Sequence, residues 1–257
     1  MSMANVKNSP LKIRHGLVAF FDILGFRKMI GSNESGEMHA IVRDILHPIL
    51  EKVVRIELTT YRLDSSYLAI SDSILVYQAQ EEQVPGVSDE TVAHCFIRSC
   101  CVLTADLLSA GLPARGAISK GEFSIIPSVD GKYGHSFTGK CIVEAYELSE
   151  KLQLAACAVA PAAELAFLAG DKVKKSFHKE LFHWPTSVKG SPPKQKLMLL
   201  NYADFFRQKK QISRATLIEC FGMHKKDVNL EVLPKIENTF DFLKEGLKLA
   251  RKSKVTY

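Results

Sequence analysis

A chain of 257 residues, 46% hydrophobic and 24% charged, has the composition of a globular protein and enough length to bury a full core. No apolar run approaches the ~20 residues needed to cross a bilayer, and the polar stretch Met1–Arg14 lacks an apolar signal-peptide core, so the sequence reads as cytoplasmic with no membrane partner. A net charge of +6 suits an anionic ligand such as a nucleotide and does not by itself call for nucleic acid.

Residues 1–14 read as a loose leader. The run Leu17-Val18-Ala19-Phe20-Phe21 then predicts a buried strand over 15–22, closed by Asp22 and followed at once by a glycine turn at Gly25. An acid at the tip of a buried strand, beside a tight turn, suits a metal-and-phosphate position, because turn amides face an anion while the carboxylate holds the neutralising cation. Taken alone, Asp22 reads equally well as a helix cap. A helical region runs to about Arg55, with Ile41, Ile45, Leu46, Ile49 and Val53 on one stripe.

Strands over 57–70 and 73–79 follow, joined at Ser71-Asp72-Ser73, which predicts a β-hairpin with a carboxylate at its tip. Asp72 read alone is a turn residue. Side by side, Asp22 and Asp72 suit a pair of divalent cations of the kind that two-metal phosphoryl chemistry requires.

Gly111 and Pro113 end a helix over 90–110, and Leu112–Phe123 reads as a strand with small residues that admit neighbouring backbone. The G-x-x-G at 131–134 is too common a spacing to count as a phosphate loop. A helix over 139–152, a strand over 154–160, a helical turn over 162–168 and a final hairpin built on Ser187–Gly190 and Leu197–Leu200 complete the pattern. From Tyr202 onward the periodicity is helical. The six cysteines fall mostly in apolar segments without a paired C-x-x-C, and the eight histidines show no metal spacing, so buried reduced thiols are expected and a zinc site is not. Strand–helix–hairpin–helix–strand order implies an α/β (α+β) fold: a ferredoxin-like palm with a mainly antiparallel sheet, helices on one face and a helical C-terminal extension.

The motif order resembles the catalytic domain of class III nucleotidyl cyclases. Phe21-Asp22-Ile23-Leu24-Gly25-Phe26 resembles that family's first metal motif, Ile70-Ser71-Asp72 its hairpin aspartate, Arg115–Gly121 its R-x-G-I-x-x-G strand, Gly139–Leu148 its G-x-x-V-N-x-A-x-R-L helix and Val188-Lys189-Gly190 its late hairpin. The resemblance implies a cyclase domain over 15–200, with residues 201–257 as the extension. It implies two Mg²⁺ or Mn²⁺ ions on Asp22, the Ile23 carbonyl and Asp72, amides of Leu24, Gly25 and Phe26 facing the phosphates, and Lys189 neutralising them.

The family's ribose-contacting Asn and transition-state Arg are here Val143 and Glu147, so the cationic role must pass elsewhere, with Arg115, Lys140 and Arg62 as candidates. The positions that read the base correspond to Leu68 and Ser136, which match neither purine pattern; Tyr61, Tyr67 and Ser136 are candidates for the pyrimidine edge. In this the chain resembles the bacterial pyrimidine cyclases of Pycsar antiphage systems, which make cyclic UMP or cyclic CMP for a separate effector. The expectation is a homodimer with composite active sites that acts on UTP, or on CTP. A degenerate cyclase that binds nucleotide without turnover, and a nucleic-acid-binding palm, are the alternatives.

Overall fold

In the computed structural model, which describes residues 13–61, 65–79, 86–127, 135–167, 179–188 and 191–252, the opening apolar run becomes β1 (Ile13–Ile23) in the middle of a mixed sheet. Its side chains alternate as a strand's period of two demands. Leu17, Ala19 and Phe21 enter the main core, while Val18 and Phe20 join a smaller cluster on the other face. Ile13 and Arg14 already pair with Ser124 and Phe123, so the strand takes in the last residues of the expected leader.

β1 is flanked by β3 (Ser73–Ala79) and β4 (Ala114–Pro127), both antiparallel to it, with Asp22 opposite Ser73 on one side and Arg115 on the other. Register alone therefore delivers Asp22, the hairpin tip and Arg115 to one end of the sheet. β2 (Ser65–Ile70) completes the hairpin with β3. Beyond β4 come β6 (Cys157–Val159), β8 (Ser191–Leu200) and β7 (Leu181–Val188), in the order β2-β3-β1-β4-β6-β8-β7, and β5 (His135–Thr138) pairs with β4. Among the described strands only β4 and β6 run parallel.

After β1 come α1 (Phe26–Ser32) and α2 (Ser35–Ile41), and α2 continues through a π-helical turn, Val42–Leu46, into α3 (His47–Tyr61). Residues 57–61, expected as strand, are the last part of α3, and the hairpin begins only at Ser65. Helix propagation from a packed stripe is cooperative, and here it overrides the strand preference of Thr59 and Thr60. That stripe buries Ile41, Leu46, Leu50 and Val53.

α4 (Asp89–Ser109) is capped by Ser88, whose hydroxyl accepts from the Thr91 amide. By length and composition alone this helix would suit a membrane span, but Arg98 and Asp106 interrupt its apolar run, 72% of its most apolar stretch is buried in protein, and it serves as the core helix. α5 (Lys140–Lys151) lies on the opposite face, where Cys141 and Ile142 enter the smaller cluster and Tyr146 meets Phe20 edge-on at 5.3 Å. Helices thus cover both faces of the sheet, not one. The strand expected over 154–160 shrinks to β6, with α6 (Pro161–Phe167) after it. All six cysteines are buried and none is in a disulfide; burial pushes the Cys101 and Cys157 thiols well up, which keeps them inert.

The C-terminal residues form α7 (Ala203–Arg207), α8 (Arg214–Gly222) and α9 (Leu233–Lys252), with a non-helical segment, 223–232, where the sequence pattern had suggested helix. α9 is built into the core. Phe242 stacks on Phe182 at 5.1 Å and meets Trp184 edge-on at 6.1 Å. The Thr239 hydroxyl accepts from the Ala155 amide at 2.9 Å, and the Asn238 amide donates to the Gln153 carbonyl at 3.0 Å. Truncating this plug, Phe242→Ala, is expected to cost about 3–5 kcal/mol in urea denaturation while unfolding stays a single transition. Two separate transitions would show that the tail folds on its own.

Candidate functional site

The chain leaving β1 is clamped from both sides. The Ile23 amide donates to the Asp72 carbonyl at 2.9 Å, and the Leu24 amide donates to the Pro113 carbonyl at 2.8 Å. Gly25 then turns the backbone with φ of 78°, a left-handed conformation that glycine adopts without strain. On the other side of the clamp, the hairpin turn is only Ser71-Asp72, with Ser71 at φ 59°. Such a short reversal needs positive φ, and Ser and Asp tolerate it through local hydrogen bonds. Asp22 and Asp72 come to line one cavity of about 400 Å³, together with Ile23, Leu24, Gly25 and Phe26.

Arg115 braces this arrangement. Its Nε donates to Asp22 Oδ2 at 2.8 Å, and its other nitrogens donate to the Glu150 carbonyl at 2.7 Å and to the Glu150 carboxylate. Gly116 beside it leaves room for the Phe21 ring, which lies 2.3 Å from where a Cβ would stand. Burial lifts the Asp22 carboxyl above its ordinary value. Arg115 pulls it back, and the charges of Asp72 and Glu150 push it up further. Asp22 is thus a desolvated carboxylate with another close by, which favours a divalent cation. No group of three or more His, Cys, Asp or Glu suited to a metal occurs among the described residues. The donors are a carboxylate pair and backbone oxygen, a set for hard ions that take the rest of their shell from water and phosphate.

Of the residues singled out from the sequence, Asp22, Ile23, Leu24, Gly25, Phe26, Asp72 and Arg115 share the cavity. Because its amide is engaged by Pro113, Leu24 cannot offer that N–H to a phosphate, which is a correction to the role expected of it. Leu68 sits on β2 opposite Leu75 and packs in the smaller cluster, away from the cavity, and Ser136 is exposed on β5 opposite Ile126. Val143 and Glu147 are exposed on α5, as is Lys140. Lys189, Arg62 and the side chain of Tyr61 lie outside the described residues.

Sequence reasoning missed a wall. Phe221, Lys226, Asp227, Glu231, Val232 and Lys235 also line the cavity, although they belong to the tail. The segment is fastened at several points. Met223 packs where a Cβ on Gly111 would stand, the His224 ring donates to the Ala110 carbonyl at 2.8 Å, and Asn33 donates to the His224 carbonyl at 2.8 Å. Lys225 pairs with Glu37 at 2.6 Å. The sequence hint was faint: Gly222 and Pro234 bracket a break in the helical pattern, with the basic pair Lys225-Lys226 between them.

No protein-family model and no curated sequence matches this chain. Solved structures do. The adenylyl cyclase CyaB from P. aeruginosa superposes with TM-score 0.51 at 13% identity, over 74% of this chain and 95% of that one. A bacterial light-regulated adenylyl cyclase gives TM-score 0.51 at 13% identity, over 86% of this chain and 59% of that one. The catalytic core of a rhodopsin-guanylyl cyclase with converted specificity, in complex with ATPαS, gives 0.50 at 13%, over 75% and 98%. The fold is therefore the class III cyclase palm, as the sequence resemblance implied.

The brace makes a titration prediction. Arg115→Met removes the cation that lowers Asp22, so the Asp22 carboxyl is expected to titrate higher than in the wild type, read by ¹³C NMR of the carboxyl. A carboxyl raised in the folded state contributes stability below its unfolded value of 3.8 and loses it as pH rises through the folded value. The variant should therefore lose that stability over a window reaching to higher pH than the wild type. An unchanged Asp22 titration would mean that the ion pair does not set its charge.

Proposed function

We propose that this protein is a nucleotidyl cyclase that converts UTP to 3′,5′-cyclic UMP and pyrophosphate. The observation that carries the reading is the meeting of Asp22 and Asp72 in one cavity at the end of β1, within a cyclase-type fold. Asp22, Asp72 and the Ile23 carbonyl would hold two Mg²⁺ or Mn²⁺ ions, which supply charge neutralisation and a lowered pKa for the attacking hydroxyl. The ribose 3′-oxygen forms a bond to the α-phosphorus, the bond to the β-phosphate oxygen breaks, and the hydroxyl proton leaves to solvent. Gly25 and Phe26 approach the phosphates with their backbone, and Arg115, held by Glu150, keeps Asp22 oriented and adds positive charge beside the reacting phosphate.

The remaining expected contacts belong to a second copy. Leu68 and Ser136 lie away from the cavity of their own chain, and α5 turns Val143 and Tyr146 outward with 54% and 46% of their surface exposed. Both features support a homodimer in which each site combines the aspartates of one protomer with the base-reading surface and α5 of its partner. Lys189 is assigned to the phosphates on the resemblance alone. Leu68 and Ser136 in place of purine-reading pairs favour a pyrimidine, with CTP as the alternative substrate. The cyclic product would act in the cytoplasm on a separate effector, as a messenger in antiphage defence, with no nucleic acid or membrane required.

One observation favours a second reading. Glu147 puts a carboxylate on α5 where a transition-state cation is wanted, which suits a nucleotide-binding sensor without turnover. The test is mass spectrometry of products after incubation with Mn²⁺ and each of the four nucleoside triphosphates. Cyclic UMP is expected, with Asp22→Ala and Asp72→Ala each below about one hundredth of wild-type turnover. Cyclic CMP would move the substrate assignment, nucleotide binding without product would select the sensor, and neither binding nor product would remove the reading altogether.

A further inference from the structure

The tail supplies part of the cavity that the aspartates open into, and that placement is unexplained by the chemistry so far. Lys226 is 6% exposed and runs its stem past the glycine turn, with its Cδ 3.3 Å from where a Cβ on Gly25 would stand. Its ammonium donates to the Gly111 carbonyl at 2.6 Å. An ammonium enclosed in this way, with a neutral carbonyl as its partner, is poorly compensated, and burial pushes its pKa down to about 8. Lys235, on the first turn of α9, lines the same cavity, and Arg27 and Lys28 line it from α1. Asp227 and Glu231 also stand on this wall.

We propose that the segment from Met223 to Lys235 is the polyphosphate-binding wall of the site, with Lys226 and Lys235 bound to the β- and γ-phosphates of the nucleoside triphosphate. The proposal rests on the cyclase reading, since it assigns the part of the cavity that the α-phosphate and its metal ions leave over. The chemistry fits: an ammonium gains most from an anionic oxygen where water is scarce, and a lysine presents a compact charge to a phosphate. The fastening of the wall to Ala110, Gly111, Asn33 and Glu37 fixes the lysines before the ligand arrives. In this arrangement the cations for the leaving pyrophosphate come from the same chain as the aspartates.

Inorganic tripolyphosphate, which has no base and cannot cyclise, is the probe, titrated calorimetrically into the full chain with Mg²⁺. Lys226→Met and Lys235→Gln are each expected to weaken it about tenfold, with uridine monophosphate affinity unchanged. Lys248→Gln, on an exposed stretch of α9 beside Glu245, is the control for net charge and should leave binding as it is. Thermal denaturation reports whether Lys226→Met folds; if it does not, Lys235→Gln decides alone. If the folded lysine variants keep wild-type affinity while Asp72→Asn loses it, the wall is overturned and the cyclase reading stands. A wild-type chain that binds neither tripolyphosphate nor any nucleoside triphosphate overturns both.

Discussion

Two carboxylates brought to one cavity, one of them largely buried, repel each other, and the rest of the fold answers to that constraint. Asp22 is held where it is by the registers of β1 with β3 and β4, and Asp72 by a turn too short to place it anywhere else. The Ile23–Asp72 backbone bond locks the two together whatever their charges prefer. Arg115 offsets part of the cost, but it is itself shared with Glu150, so the pair remains under-neutralised. A carboxyl perturbed by burial and by a neighbouring carboxylate, as Asp22 is, is found at functional sites more often than elsewhere.

Much of this was legible in the sequence because it is local. Five apolar residues followed by an acid and a glycine turn favour a buried strand with a charge at its tip, and two apolar runs around Ser71-Asp72-Ser73 favour a hairpin. Bringing the two tips together required the order of strands, which the family resemblance supplied. What failed was also physical. The strand-like composition near Thr59 and Thr60 lost to a helix already propagating from a buried stripe. The placement of α5 on the second face depends on how Val18 and Phe20 are covered, and alternation along β1 says only that they must be.

The cavity's other wall left almost no trace. Lys226 and Lys235 come from the far end of the chain, and hydrophobic periodicity reports which side of a helix is buried, not what a charged side chain reaches. His224 and Lys225 take φ of 59° and 58° without the glycine or asparagine that would have announced a turn. Their conformation is held by contacts with Ala110, Asn33 and Glu37, none of which a local reading connects to them.

The stitching of α9 to the 153–155 bend, and of Asn201 to Gly246, has a practical meaning for anyone exchanging modules between proteins of this fold. A chimera that transplants residues 15–200 alone would leave behind the aromatic plug over Trp184 and Phe182 and one side of the cavity. A unit that keeps both of them runs from β1 through to the last turns of α9.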